Sequence, residues 1–385
     1  MTFLTRLAVV AALVLAPLTA SADDKPVAAK PKNIDLVICL DVSNSMDGLI
    51  DSAKLKLWDI VNELAKVKPV PNLRVALYSY GHNSYPADKG WVRKDLDLTM
   101  DLDEVYAKLT ALKTSGGNEY VARVTQAALA EQKWSDGDSL KLIFVCGNEA
   151  VDQDKQVSLT DVAAEAKRRG VFVNTIYCGP AASTEANGYR NFATVAGGSY
   201  ASIDQERAKK DLAATIKTPH DADILKLSEK LNTTYLAYGK DGKKGAENQV
   251  AQDRAAGAAA PGAALARGES KANALYRNSH WDLIDNMNDD PKFDLSKIKE
   301  EDLPEEMKKM KPEERVAYLK KKAAERAAIQ KEINELSAKR AKVIDEERKK
   351  QPKTEGEKAL DEAVKGIVRE QAKSKGFEVP VPVKK

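Results

Sequence analysis

The sequence predicts a doubly wound α/β domain, in which a mostly parallel sheet is flanked by helices, followed by a mainly helical C-terminal extension. Two observations indicate the domain. Between residues 33 and 218, short β-rich runs alternate with helical patterns. Runs such as VICL and LIFVC are apolar at successive positions, which is typical of strands covered on both faces in a parallel sheet.

The elements of this domain follow one another in a regular order. The first predicted strand is IDLVICL, and the helix after it covers Ile50 to Lys66. The other predicted strands are LRVALYSY, WVRKDLDL, KLIFVC, VFVNTIYC and SYASID. The other predicted helices cover Asp101 to Leu112, Tyr120 to Trp134 and Thr160 to Arg169, with a short helix before the last strand. The third of these ends on two arginines and a glycine, which suit the carbonyl end of a helix.

The chain has 385 residues, of which 43% are hydrophobic and 31% charged, and it is longer than one compact domain normally needs. Its formal net charge is +3, so positive and negative side chains nearly balance. A balanced chain has no long-range field that favours nucleic acid or an anionic membrane. We therefore expect no nucleic-acid partner, and the partner has to be inferred from a local site.

Residues 1–22 have the pattern of a secretory signal peptide, and residues 23–32 form a linker. Arg6 precedes the apolar stretch LAVVAALVLAPL, and Ala20-Ser21-Ala22 supplies the small residues of a cleavage site. The stretch is too short to span a bilayer comfortably, and no later segment is apolar enough to do so. We expect the mature chain to be exported to the periplasm, the cell surface or the extracellular space.

The three cysteines, Cys39, Cys146 and Cys178, each fall within or at the end of an apolar strand-like run. Their spacing matches no zinc motif. Burial as small hydrophobic residues is one interpretation. The other is a disulfide between Cys146 and Cys178, which an oxidising compartment would permit if their strands are neighbours.

The first predicted strand ends on Asp41, and Ser43 and Ser45 follow at alternate positions. One interpretation is that these side chains cap the next helix. A nucleophilic serine is a second interpretation, but neither serine lies in a GxSxG elbow and none of the three histidines lies in a base motif. A phosphatase of the haloacid-dehalogenase type would need a second aspartate where Ser43 stands. A hard divalent cation is a third interpretation, because Mg²⁺ prefers hydroxyl and carboxylate oxygens.

The segment Asp41-Val42-Ser43-Asn44-Ser45 resembles the DxSxS signature of the von Willebrand factor A (VWA) domain. This signature begins the metal-ion-dependent adhesion site (MIDAS) of that Rossmann-like family. The similarity covers about residues 33–218 and includes SGGNEY near the second site loop and AGGSYASID near the last strand. The resemblance implies that Ser43 and Ser45 contact Mg²⁺, or Mn²⁺ or Ca²⁺ in its place, and that Asp41 reaches the metal through water.

The other two site loops depart from the family pattern. Where the family usually places a threonine in the second loop, this chain has Asn118 and Glu119. Where the third loop commonly reads TDG, the chain has CGNE, and Glu149 is the preferred replacement for the missing aspartate, with Asp152 in reserve. The alternative is that Glu119 only favours a helix N-terminus and that Glu149 is a solvated acid.

The resemblance also implies a function. Three loops leave one metal coordination position open, and in the family a partner's Asp or Glu side chain fills it. No general base lies in an obvious position to activate a metal-bound water, so we expect a non-enzymatic adhesion or assembly protein. The competing hypothesis is a metal-free scaffold that associates through its C-terminal helices.

Three segments follow the domain. Residues 219–298 are predicted to be a helical extension with an Ala/Gly-rich linker, residues 299–350 a long charged helix, and residues 351–385 a partly disordered tail. The long helix has a short coiled-coil-like seam at Ile329, Ile333, Leu336 and Val343. This seam makes self-association through residues 304–350 one of the hypotheses.

Overall fold

A six-stranded sheet in the order β3-β2-β1-β4-β5-β6 lies at the centre of the domain. The structure is a computed structural model that describes residues 32–47, 60–202, 216–259, 261–350 and 359–379. The strands are β1 Asn33–Asp41, β2 Asn72–Tyr80, β3 Val92–Thr99, β4 Leu140–Gly147, β5 Val171–Tyr177 and β6 Gly197–Ser202. β2 and β3 pair antiparallel, and the other four pairings are parallel. The predicted fold class is therefore confirmed.

The continuous apolar runs of the strands are explained by burial on both faces of the sheet. In β1, Leu36 and Leu40 pack into the hydrophobic core on one face, while Val37 and Cys39 pack into the core on the other. All four side chains are at most 1% exposed. Helices therefore cover both sides, as a parallel sheet requires.

Four helices of the domain lie wholly within the described residues and have conventional ends. They are α1 Leu102–Ala111, α2 Val121–Glu131, α3 Leu159–Arg168 and α4 Thr184–Val195. The side chains of Asp101, Ser158 and Ser183 accept hydrogen bonds from backbone amides at the starts of α1, α3 and α4. The helix predicted over 50–66 lies largely outside the described residues, although residues 60–64 are helical.

The extension is mainly helical, as the sequence predicts. Its helices are α5 Asp221–Asn232, α6 Gly242–Ala259, α7 Pro261–Lys271, α8 Leu283–Asp289, α9 Glu305–Lys308, α10 Pro312–Lys350 and α11 Ala359–Ser374. Among the helices that the structure describes, none has the length and apolar character needed to cross a membrane.

The first half of the seam of the long helix α10 is buried within the chain. Ile329 and Ile333 are 3% and 0% exposed and pack against Ile224, Leu231 and Leu265 of α5 and α7. The predicted coiled-coil seam therefore has an intramolecular partner, which the short apolar pattern of α10 does not reveal. Ile329 and Ile333 are therefore not available for self-association, whereas association of a metal-free scaffold through other parts of the C-terminal helices stays a prediction.

Residues 359–379, which lie within the predicted partly disordered tail 351–385, have ordered structure. Helix α11 continues to Ser374, and Phe377 is 3% exposed in the core beneath the sheet. Glu378 then pairs with Lys68 through two backbone hydrogen bonds of 2.8 and 2.9 Å. The apolar face of α11 supplies the reason, because its burial offsets the entropy of ordering the tail.

All three cysteines are free and buried in the structure. Burial raises the pKa of each thiol, so none is a reactive thiolate at neutral pH. The interpretation as small hydrophobic residues agrees with the structure, whereas the disulfide between Cys146 and Cys178 does not form in it.

A buried ionic network joins the domain to the extension. Asp103 of α1 pairs with Arg267 of α7 at 2.6 Å, and both side chains are 1% exposed. Tyr276 donates a hydrogen bond to Asp103, and Arg267 also pairs with Asp253 of α6 at 2.7 Å. Because a buried charge without its partner is costly, these contacts require the two parts to fold together.

Arg326 of α10 organises a second buried cluster. Its guanidinium donates to Asp282 at 2.7 and 2.9 Å, to Asp285 at 3.0 Å and to the carbonyl oxygen of Thr234 at 2.9 Å. It also lies 3.9 Å from the centre of the Tyr235 ring. This cluster fixes the long helix to the segments between α5 and α8.

Replacing Arg326 by alanine is expected to lower the free energy of unfolding by about 3–5 kcal/mol, because it leaves the Asp282 carboxylate buried without its partner. Urea denaturation of the full chain measures this loss. Lys331→Ala, which removes an exposed ion pair with Glu335 on the same helix, is the control and should cost less than about 1 kcal/mol. Equal losses in the two variants would contradict the proposed importance of the cluster.

His280 is expected to stabilise the protein only at low pH. The hydrogen bond from its imidazole to Asp101 raises the pKa of His280, and Asp241 and Glu104 add to this effect. The stabilisation is therefore present below the ordinary pKa of histidine and is lost as pH rises through the raised value. Its side chain is 50% exposed, so we expect less than about 1 kcal/mol.

Thermal melts of His280→Ala at about pH 5.5 and pH 9 test this expectation, because only the acidic melt should fall relative to the unmodified protein. His82→Ala is the control. Partial burial and Arg93 lower the pKa of His82, so its removal should not destabilise the acidic form. An equal effect of His280→Ala at both pH values would refute the prediction.

Candidate metal centre

Three loops meet at the carboxyl end of β1. The strand pairs in parallel with β2, where Asp41 lies opposite Tyr80, and with β4, where the residue before Asp41 lies opposite Cys146. The backbone amide of Ser115 donates to the carbonyl oxygen of Val42 at 2.9 Å and brings a further segment to this edge. We call residues 42–47, 113–120 and 147–157 the first, second and third loops.

Asp41 and the two serines of the first loop lie close together. Asp41 is 0% exposed, and its Oδ1 accepts a hydrogen bond of 2.8 Å from the amide of Ser43. The hydroxyl oxygens of Ser43 and Ser45 are 2.9 Å apart. Among the described residues, Oδ2 of Asp41 has no hydrogen-bond partner although it is buried.

Glu119 of the second loop lies against Asp41. It is only 3% exposed, and its Oε2 is also buried without a hydrogen-bond partner among the described residues. Burial, followed by the neighbouring Asp41 carboxylate, raises the pKa of Glu119, and burial also raises the pKa of Asp41. Two adjacent carboxyl groups of this kind hold a proton between them unless a cation compensates their charge.

Glu149 of the third loop lies at the exposed side of the centre. Its negative charge contributes to the raised pKa values of Asp41 and Glu119. Its Oε2 accepts a hydrogen bond of 3.0 Å from Gln153.

Two other predicted residues are not brought to the centre. Asn118 is exposed, and none of the described contacts joins it to Asp41 or to the serines. Asp152, the reserve acid, is exposed and pairs with Lys155 at 3.7 Å.

The structure adds Asn148, which the sequence analysis missed. Its Oδ1 accepts a hydrogen bond of 3.0 Å from the hydroxyl of Ser45. Asn148 directly precedes Glu149 in the sequence. This position beside the predicted third-loop acid is the signal that could have identified it as a site residue. Thr114 of the second loop similarly donates to Asp47 of the first, and all three loops are therefore linked through side chains.

Steric crowding explains why the first position of the third loop is Gly147 and not an acid. A Cβ atom there would lie 2.5 Å from the hydroxyl of Tyr80 and 2.6 Å from the hydroxyl of Tyr189. The Tyr80 hydroxyl is held in place because it donates to the carbonyl oxygen of Cys146 at 2.9 Å. Two tyrosine hydroxyls thus occupy the space into which a side chain at position 147 would point.

The donor atoms fit a hard divalent cation. In the part of the chain that the structure describes, no group of three or more His, Cys, Asp or Glu side chains could hold a metal alone. A cation here would therefore need the hydroxyls of Ser43 and Ser45 in addition to the carboxylates of Asp41 and Glu119. The two buried, unpartnered carboxylate oxygens supply the charge and the free lone pairs that such an ion requires.

The family model for the von Willebrand factor type A domain matches residues 35–214. The chain therefore contains a VWA domain, and the resemblance predicted from the sequence is confirmed for this segment. Domains of this type are generally binding modules that mediate protein-protein interaction, and they are generally not enzymes. A comparison with curated proteins found no match.

The comparison with solved structures found partial matches. Proximal thread matrix protein 1 from the mussel byssus, with a zinc-occupied MIDAS motif, is 13% identical at a TM-score of 0.38 over 47% of this chain and 44% of that chain. The VWA domain of SpRpn10 is 16% identical at a TM-score of 0.35, over 45% and 89% of the two chains. The pilus adhesin SpaC from Lactobacillus rhamnosus GG is 13% identical at a TM-score of 0.34, over 47% and 29%. The matched region thus spans less than half of the mussel protein and of the adhesin.

Replacing Glu119 by glutamine is expected to stabilise the metal-free protein. Because the folded state raises the pKa of this carboxyl group, metal-free stability falls as pH rises above its ordinary value. Glutamine removes this loss, which we expect to be about 1–3 kcal/mol at neutral pH.

Thermal melting with chelator measures the effect at about 2–4 °C per kcal/mol. Asp152→Asn, at an exposed acid of the third loop that is not brought to the centre, is the control and should change stability by less than about 0.5 kcal/mol. A lower melting temperature for Glu119→Gln than for the control would show that Glu119 stabilises the metal-free fold and would contradict this prediction.

Proposed function

We propose that this chain is an exported, non-enzymatic binding protein whose VWA domain captures a protein partner through a divalent cation. The observation that carries the proposal is the pair of buried, unpartnered oxygens on Asp41 and Glu119 beside the hydroxyls of Ser43 and Ser45. These atoms lie where the carboxyl ends of three strands meet, which is where α/β domains usually bind ligands.

Ser43, Ser45 and Glu119 would hold the cation directly. The buried carboxylate of Asp41 would reach the cation through a water molecule, as the family resemblance implies. A set of hydroxyl and carboxylate oxygens favours Mg²⁺, with Mn²⁺ and Ca²⁺ as alternatives. The bound ion would supply a positive centre with an open coordination position, and an Asp or Glu side chain of the partner is the donor that the resemblance implies.

Export rests on the sequence of residues 1–22, which lie outside the described residues. The binding role rests on the domain and its centre, and the two parts of the proposal can be tested separately.

The full chain tests the metal centre directly. Adding Mg²⁺, Mn²⁺ or Ca²⁺ at about 100 times Kd should stabilise the folded protein by roughly 2.7 kcal/mol relative to chelator, and the melting temperature should rise by several degrees. Asp41→Ala should abolish this metal-induced rise, whatever its own effect on stability. Asp152→Ala is the control, and it should retain the full rise.

The absence of any metal-induced rise at millimolar concentrations in the unmodified chain would overturn the proposed metal centre. A rise that persists in Asp41→Ala would place the ion at another site. Either result would end the argument for metal-dependent capture at the first loop.

A further inference from the structure

The third loop supplies an acid to the centre although its first position, Gly147, cannot carry one. The hydroxyls of Tyr80 and Tyr189 occupy that space. The next acid along the chain is Glu149, whose exposed side chain would be free to turn towards solvent without a contact that directs it. The question is therefore what directs the Glu149 carboxylate towards the second loop.

Gln153 provides that contact. Its side-chain oxygen Oε1 accepts a hydrogen bond of 3.2 Å from the backbone amide of Glu119, and its Nε2 donates to Oε2 of Glu149 at 3.0 Å. The backbone amide can only donate, so the amide group of Gln153 must turn its oxygen towards Glu119. Its nitrogen is then directed at Glu149, which can only accept when ionised.

The segment that carries Gln153 is itself anchored. The neighbouring Asp154 forms a two-pronged ion pair with Arg123 of α2, at 2.8 and 3.0 Å. Asp154 also accepts hydrogen bonds from the backbone amides of Gln156 and Val157. These contacts join the third loop to the helix that follows Glu119 and leave Gln153 little freedom to move away.

We propose that Gln153 is a positioning residue of the metal centre, which holds Glu149 as the third-loop carboxylate in place of an acid at position 147. This inference rests on the proposed function. Glu149 would act on the bound cation through its charge, and Gln153 would act only through Glu149. Groups that orient acids around a metal in this way typically contribute 10-fold to 100-fold to metal affinity.

The test is titration calorimetry of the full chain with Mn²⁺ alone. Glu149→Gln and Gln153→Met should each weaken Mn²⁺ binding about 10-fold, since methionine keeps the size of glutamine and loses both hydrogen bonds. The double variant should bind no more weakly than Glu149→Gln alone, because Gln153 has nothing left to position. Lys155→Ala, which removes the exposed ion pair of the same segment, is the control and should bind normally.

Three results would overturn the inference while leaving the proposed function intact. These are unchanged Mn²⁺ affinity in Glu149→Gln, unchanged affinity in Gln153→Met, and an additive loss in the double variant, which would mean that Gln153 acts independently of Glu149. Failure of the unmodified chain to bind Mn²⁺ would instead overturn the proposed function itself. Melting in chelator identifies a folding defect, and Gln153→Ala is then used in place of Gln153→Met.

Discussion

The placement of β1 between β2 and β4 is the constraint on which the rest of the structure depends. A strand in this position is paired along both edges and covered on both faces, so eight of its nine residues are buried and residues 36–40 are apolar without interruption. Its parallel neighbours β2 and β4 end at the same edge, so the first and third loops, which follow β1 and β4, converge there. The second loop follows α1 and is joined to this edge by the hydrogen bond from the amide of Ser115 to the carbonyl oxygen of Val42. The first polar side chain after this run is Asp41, which is consequently buried at the meeting point of three loops.

Burying Asp41 and Glu119 side by side lowers the stability of the folded protein, and favourable contacts elsewhere in the fold must offset this loss. Two carboxyl groups lie side by side with one oxygen of each unpartnered among the described residues, a situation that opposes ionisation of both. Such an arrangement is unfavourable for a purely structural pair and favourable for a site that receives a cation. The loops around it are held by side-chain contacts, so the acids cannot relax apart without breaking these contacts as well.

The extension is part of the same folded unit as the domain to which it is joined. Asp103 with Arg267, and Arg326 with Asp282, place complementary charges in the interior, where each charge depends on the other. Helix α11 returns to the sheet through residues 359–379. A chain cut near residue 218 would expose these contacts, and the centre is therefore best studied in the full chain.

The sequence by itself determined the α/β class, the strand order along the chain and the first loop of the centre. These features depend on local patterns: continuous apolar runs, helix ends and the spacing of Asp41, Ser43 and Ser45. Only the tertiary structure decided the contacts of Asn148 and Gln153, the exclusion of an acid at Gly147 by two tyrosines, and the packing of α10 and α11. These features depend on contacts between residues that are far apart in the chain, or on which of two neighbouring residues is buried. A short-range sequence pattern does not predict such contacts.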